Sequence, residues 1–119
     1  MEKTIEIDGR PVKFRATGNT IRLYRQQFQG DILMDMNRLQ LASASDQPLS
    51  ADALNIFENI AYIMAKQGDP TIPDTPDEWL DTFDMFSIYS ILPQIIELWG
   101  ISNVTLSESK KKALAQTDR

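Results

Sequence analysis

Apolar and polar residues alternate on either side of Asp8-Gly9, from Thr4 to Ala16, and this pattern predicts a β-hairpin over residues 4–16. Two registers are open. A two-residue Asp8-Gly9 loop pairs Ile7 with Arg10 and Lys3 with Phe14, whereas a loop from Asp8 to Pro11 pairs Ile7 with Val12 and Ile5 with Phe14. The second is expected, because it sets apolar side chains opposite one another and leaves Pro11, which has no N–H to donate, in the loop. A lone hairpin is marginally stable, so it must pack on the helices C-terminal to it.

From Thr17 onward the apolar spacing has the helical period. After the turn Thr17-Gly18-Asn19-Thr20, Ile21, Tyr24 and Phe28 predict a helix over 20–29. Asp31 can cap a second helix over 31–41, with Ile32, Met36 and Leu39 on one face and Leu33 beside them. Ala42 to Leu49 reads as a loop. Ser50 opens a third helix, 51–67, on which Leu54, Phe57, Ile60, Ala61, Met64 and Ala65 form a face that Ile56 and Ile63 widen. A stripe this broad is contacted from two sides, so this helix is expected at the centre. Gly68 and Pro70 end it. Thr75-Pro76-Asp77-Glu78 reads as a capping box opening a helix over 76–83, with Trp79, Leu80 and Phe83 facing inward. Ile88, Leu92, Ile95 and Trp99 predict a last helix over 85–99 that ends at Gly100 and that Pro93 must kink or split. Ile101 to Leu106 reads as a short extended piece and 107–119 as a polar, mobile tail. The fold expected is α+β and mostly helical: an N-terminal hairpin packed on a bundle of four to five helices, all in one domain over residues 1–106.

Composition narrows the function. The 119 residues are 42% hydrophobic and 24% charged, ordinary for a globular chain. No stretch reaches the roughly 20 apolar residues of a membrane span, and MEKTIEIDGR is no signal peptide, so an intracellular protein with no membrane partner is expected. There is no cysteine and no histidine, which removes disulfides, thiolate chemistry, a Ser/His/Asp triad and the usual transition-metal ligands. The scattered glycines form neither G-x-G-x-x-G nor G-x-x-x-x-G-K-[ST]. No cofactor, no metal and no enzymatic activity are expected.

The net charge of −5 argues against nucleic acid as a partner, and its distribution says more than its total. Residues 1–40 carry seven basic and five acidic side chains, whereas residues 67–109 carry eight acids and no base. The acids Asp69, Asp74, Asp77, Glu78, Asp81 and Asp84 lack EF-hand spacing, and several sit where a helix N-terminus favours negative charge. Within Asp74 to Trp99 lie both tryptophans and more apolar side chains than one small core needs. Trp79, Phe83, Phe86, Ile95 and Trp99, flanked by Asp77, Glu78 and Asp81, are the candidate partner-binding residues, forming or supporting a surface for helical partners or for self-association.

The order of these elements resembles a family. KTIEIDGRPVKFRATGNT, RLYRQQF, FENIAYIMAKQGDP and DEWLDTFDMFSIYSILPQIIELW, taken together over residues 2–100, resemble the tail assembly chaperones of long-tailed phages and prophages of Gram-positive bacteria. The resemblance implies a non-catalytic role in virion assembly, in the cytoplasm of the bacterial host. Such proteins bind the tape measure protein, help recruit major tail tube subunits around it, and are absent from the mature virion. It also implies a longer product made by translational frameshift, for which an adenine run encoding Lys110-Lys111-Lys112 is a natural slippage site; a coding sequence without such a run, or without an overlapping frame, removes that idea. Two other classes fit the composition: a structural tail component retained in the virion, and a small acidic adaptor or inhibitor that mimics nucleic acid.

Overall fold

The computed structural model describes residues 1–99; Gly100 as a helix stop, the extended piece 101–106 and the tail 107–119 lie outside the described residues. The elements are β1 (Glu2–Ile7), β2 (Arg10–Arg15), α1 (Gly18–Phe28), α2 (Ile32–Ser43), α3 (Ala51–Gly68), α4 (Pro76–Leu80), a 3-10 turn (Tyr89–Ile91) and α5, residues 92–99. The architecture is α+β and mostly helical, an antiparallel hairpin laid on a helical bundle.

The hairpin takes the two-residue loop, which corrects the expected register: Ile7 pairs with Arg10, Ile5 with Val12 and Lys3 with Phe14. Asp8 and Gly9 both have positive φ, 54° and 73°, the conformation of the tight turn that matches strand twist. The two registers differ by two positions, and a shift of two leaves every side chain on its original face. Ile5, Ile7 and Phe14 are therefore buried in either case, and turn chemistry decides. Pro11 lies in β2, opposite Glu6. Alternate pairs in an antiparallel ladder exchange no bonds, and the Met1–Ala16 pair, which does exchange both, fixes Glu6–Pro11 as one that does not. The missing N–H of Pro11 is thus outside the ladder.

Capping explains where the helices start. Thr17 and Thr20 bond each other's backbone N–H and hydroxyl groups in a reciprocal box at α1. Asp31 accepts from Leu33 N and Met34 N at α2, and Ser50 from Ala53 N at α3. The box expected at Thr75 has one arm: its hydroxyl accepts from Glu78 N at 3.2 Å, with Pro76 in the first turn. The α1 and α3 ends are joined by Thr20, buried, whose hydroxyl donates to the Gln67 side chain, while Gln67 Nε2 donates to Thr17 Oγ1 at 3.1 Å.

α3 is central as the stripe predicts. Phe57, Ile60, Ala61, Met64 and Ala65 are buried along it, and one continuous core joins them to Phe14, Tyr24, Met36, Leu39 and Ile95. Each such aromatic or large aliphatic side chain contributes about 1.5–3 kcal/mol on burial. At its C-terminus α3 approaches β2 so closely that a Cβ on Gly68 would stand 2.1 Å from the Lys13 carbonyl oxygen. Gly68 is required for that approach, beyond its expected role as a stop.

The two helices expected over 76–83 and 85–99 are shorter. α4 ends at Leu80, and residues 81–88 are turns held by bonds from Thr82 N to Trp79 O, Phe83 N to Leu80 O and Ser87 N to Asp84 O. Pro93 splits the stretch. Its ring cannot follow a full helical turn, so it sits at the second position of α5, where its absent N–H costs little. The buried residues there are Ile88, Ile91, Ile95 and Trp99; Leu92, expected among them, is half-buried.

Candidate functional site

The acidic, apolar stretch is anchored from α3 outward. Lys66 Nζ donates to Pro70 O at 2.9 Å, to Ile72 O at 2.8 Å and to Asp74 Oδ1 at 2.9 Å, and Tyr62 OH donates to Pro73 O at 2.7 Å. These bonds fix the loop that delivers Thr75 to the start of α4. Asp69 accepts from the Thr71 hydroxyl and backbone N–H, in that order the causes that hold its carboxyl below the usual range. Trp79 then packs edge-on against Tyr62, with ring centroids 5.9 Å apart, and Phe83 edge-on against Trp79 at 5.1 Å.

The tip of the hairpin grips the turns after α4. Arg10 donates to Thr82 O at 2.6 Å and lays its guanidinium 4.7 Å from the centre of the Phe83 ring. Asp8 accepts from Asp84 N at 2.9 Å and from the Ser87 hydroxyl. The Ser87 bond and then the Asp84 N–H lower the Asp8 pKa; desolvation opposes them, and the nearby Arg10 charge adds the smallest lowering effect. Between those two anchor points the chain turns outward, leaving Met85 and Phe86 each 76% exposed. Beyond them Tyr89 OH donates to Glu58 Oε1 at 3.1 Å and its ring lies 6.1 Å from that of Phe57, returning the chain to α3.

The sequence-derived candidates therefore divide. Trp79, Ile95 and Trp99 are buried in the core and can only support a surface; Phe83 is half-buried beneath Arg10. Phe86 is exposed, and so are Asp77, Glu78 and Asp81. Met85, beside Phe86, completes an apolar knob. Asp81 and Asp84 precede that knob in sequence, and among the described residues no lysine or arginine comes after Lys66, itself occupied by three oxygens. Asp8, Arg10 and Ser87, which hold the knob out, carry no signal in sequence because their partners are more than 70 residues away.

Two concavities adjoin the stretch. A cleft of about 360 Å³ lies between the hairpin and the end of α3, lined by Arg10, Lys13, Asp69, Trp79 and Phe83. A more apolar groove of about 570 Å³ separates α5 from the connection between α2 and α3, lined by Pro48, Leu49, Leu92, Pro93 and Ile96. Among the described residues no three acidic side chains converge as metal ligands, and no helix is long and apolar enough to cross a membrane. The arrangement suits binding through an apolar projection that follows exposed acids. Searches against family models, curated proteins and solved structures find no match to this chain.

Proposed function

We propose that this protein is a tail assembly chaperone of a long-tailed phage or prophage, non-catalytic, that binds the tape measure protein and helps recruit major tail tube subunits during virion assembly. The proposal takes its identity from the sequence resemblance, and one structural observation supports its binding role: Met85 and Phe86 are held exposed, directly after the exposed Asp84 in the chain. An exposed apolar pair that follows exposed acids suits a helix that carries apolar and basic side chains, and a long helical client offers many such faces. Its place of action is the cytoplasm of the bacterial host, and it leaves before the virion is complete.

Co-expression with the tape measure protein encoded beside it tests this. The wild-type chain should keep the client soluble and co-purify with it, and Met85→Ala/Phe86→Ala should lose both properties while remaining folded. Unchanged co-purification removes the knob from the proposal; no effect of the wild-type chain on client solubility removes the chaperone role. Mass spectrometry of purified particles should find none of this chain, whereas a structural tail component would be present.

A further inference from the structure

Between α1 and α2 lies a third concavity, of about 420 Å³, lined by Ile21, Arg25, Gln29, Gly30, Asp31 and Leu33. Its apolar walls are open, with Ile21 half-buried and Leu33 exposed. Its free charge is positive. Arg25 lines it, Arg22 is exposed one turn earlier on the same side of α1, and neither is in an ion pair among the described residues. The Asp31 carboxylate is already engaged as the cap of α2, accepting from Leu33 N at 2.9 Å and from Met34 N at 3.3 Å.

The same chain carries the complement. Met85 and Phe86 are each 76% exposed, and Asp84, exposed and in no ion pair among the described residues, directly precedes them. Asp84 and Phe86 are two positions apart, at most about 7.6 Å between Cα atoms, so a pocket that takes the ring brings the carboxylate to its rim. The two concavities described earlier suit this knob less well. The cleft beside the hairpin is lined by Thr82 and Phe83, from the segment that carries the knob, and its Arg10 and Lys13 are held by Thr82 O and Glu2. The groove beside α5 has Glu97 as its charged wall residue, which repels an acidic approach. Of the three, the α1–α2 concavity alone joins apolar walls to unpaired arginine. Within one molecule the knob is pinned at Asp8 and lines no part of that concavity, so a knob that fills it comes from another molecule.

We propose that the Met85–Phe86 knob of one copy seats in the α1–α2 concavity of a second copy, with Asp84 facing Arg25, and that this contact covers the knob until a client displaces it. The displacement step rests on the client-binding role proposed above; the contact between copies does not.

Sedimentation of the full chain over a range of concentrations tests the contact. The mass should rise with concentration and fall at high salt, which screens the charge pair. Asp84→Lys and Arg25→Glu should each weaken self-association about ten-fold or more, because each sets like charges face to face. An equimolar mixture of the two variants should associate as the wild type does, since every contact between unlike copies then joins opposite charges. Both substitutions are at exposed positions, and recovery in the mixture shows that each variant is folded. A wild-type chain that stays monomeric, a variant that associates unchanged, or a mixture no better than its components overturns the proposal. Arg25→Glu leaves the knob intact, so in co-expression with the tape measure protein it should capture at least as much client as the wild type. Poorer capture overturns the displacement step, whereas no capture by either chain removes the client role and leaves the contact between copies standing.

Discussion

Trp79 and Phe86 stand seven residues apart in one acidic, apolar stretch, yet Trp79 is 2% exposed and Phe86 is 76% exposed. Composition does not separate them; anchoring does. The Thr75 cap and the loop bonds of Lys66 and Tyr62 aim α4 at α3, and Trp79 goes into the core with it. Phe86 lies between two groups, Asp84 N and the Ser87 hydroxyl, that bond the same Asp8 carboxylate. Pinning both ends to one acceptor forces the residues between them outward, so the same hairpin that shelters Phe83 presents Phe86.

The contrast can be broken most forcefully at its buried end. Trp79→Ala should cost about 3–5 kcal/mol, the range for a large aromatic truncated in a core, read as a lowered urea midpoint with an unchanged slope. Next in size is Gly68→Ala. A Cβ placed 2.1 Å from a backbone carbonyl forces α3 away from β2, and overpacking of this kind costs about 1–3 kcal/mol. If that variant is as stable as the parent, the close approach between helix and hairpin is not needed.

The anchor itself is addressed through pH. The Asp8 pKa is depressed in the folded chain, so the stabilisation it gives is present above the ordinary aspartate pKa and is lost as pH falls through the lowered one, a window below about pH 4. The Asp84 amide resonance should therefore move in acid with a midpoint under the usual carboxylate value. Asp8→Asn, which tolerates the same backbone conformation, should abolish that movement and speed exchange of the Asp84 amide several-fold. The smallest effect belongs to the exposed end. Phe86→Ala should change stability by no more than about 0.5 kcal/mol, and a loss approaching that of Trp79→Ala would place Phe86 in a core instead of on a surface.

How much of the molecule is legible in its sequence depends on the range of the interactions. Asp31, Ser50 and Thr75 announce helix starts because a cap acts within three residues. The breadth of the α3 stripe announces a central helix because burial from several sides shows in one window. The hairpin register escapes the pattern because alternation has a period of two and cannot tell registers two apart, while the conformation of Asp8-Gly9 can. The span 85–99 reads as one interrupted helix because its apolar spacing continues across Pro93, and spacing alone does not register the ring. Of the candidate site, the acids and Phe86 are legible as exposed-type and surplus residues. The Asp8 anchor is not, since nothing local distinguishes a turn aspartate that bonds a segment 76 residues away.

Pro11 and Gly68 have a joint consequence for how copies of this chain behave at high concentration. The side of β2 that faces away from β1 would be open to strand addition, the usual route from a hairpin to a fibril. Pro11 offers no donor along that side, and two residues on, the Lys13 carbonyl is covered by the end of α3. β2 is thereby closed to further pairing by a ring and a helix terminus, which leaves β1, with Glu2 and Glu6, as the one strand edge among the described residues that charge alone must guard.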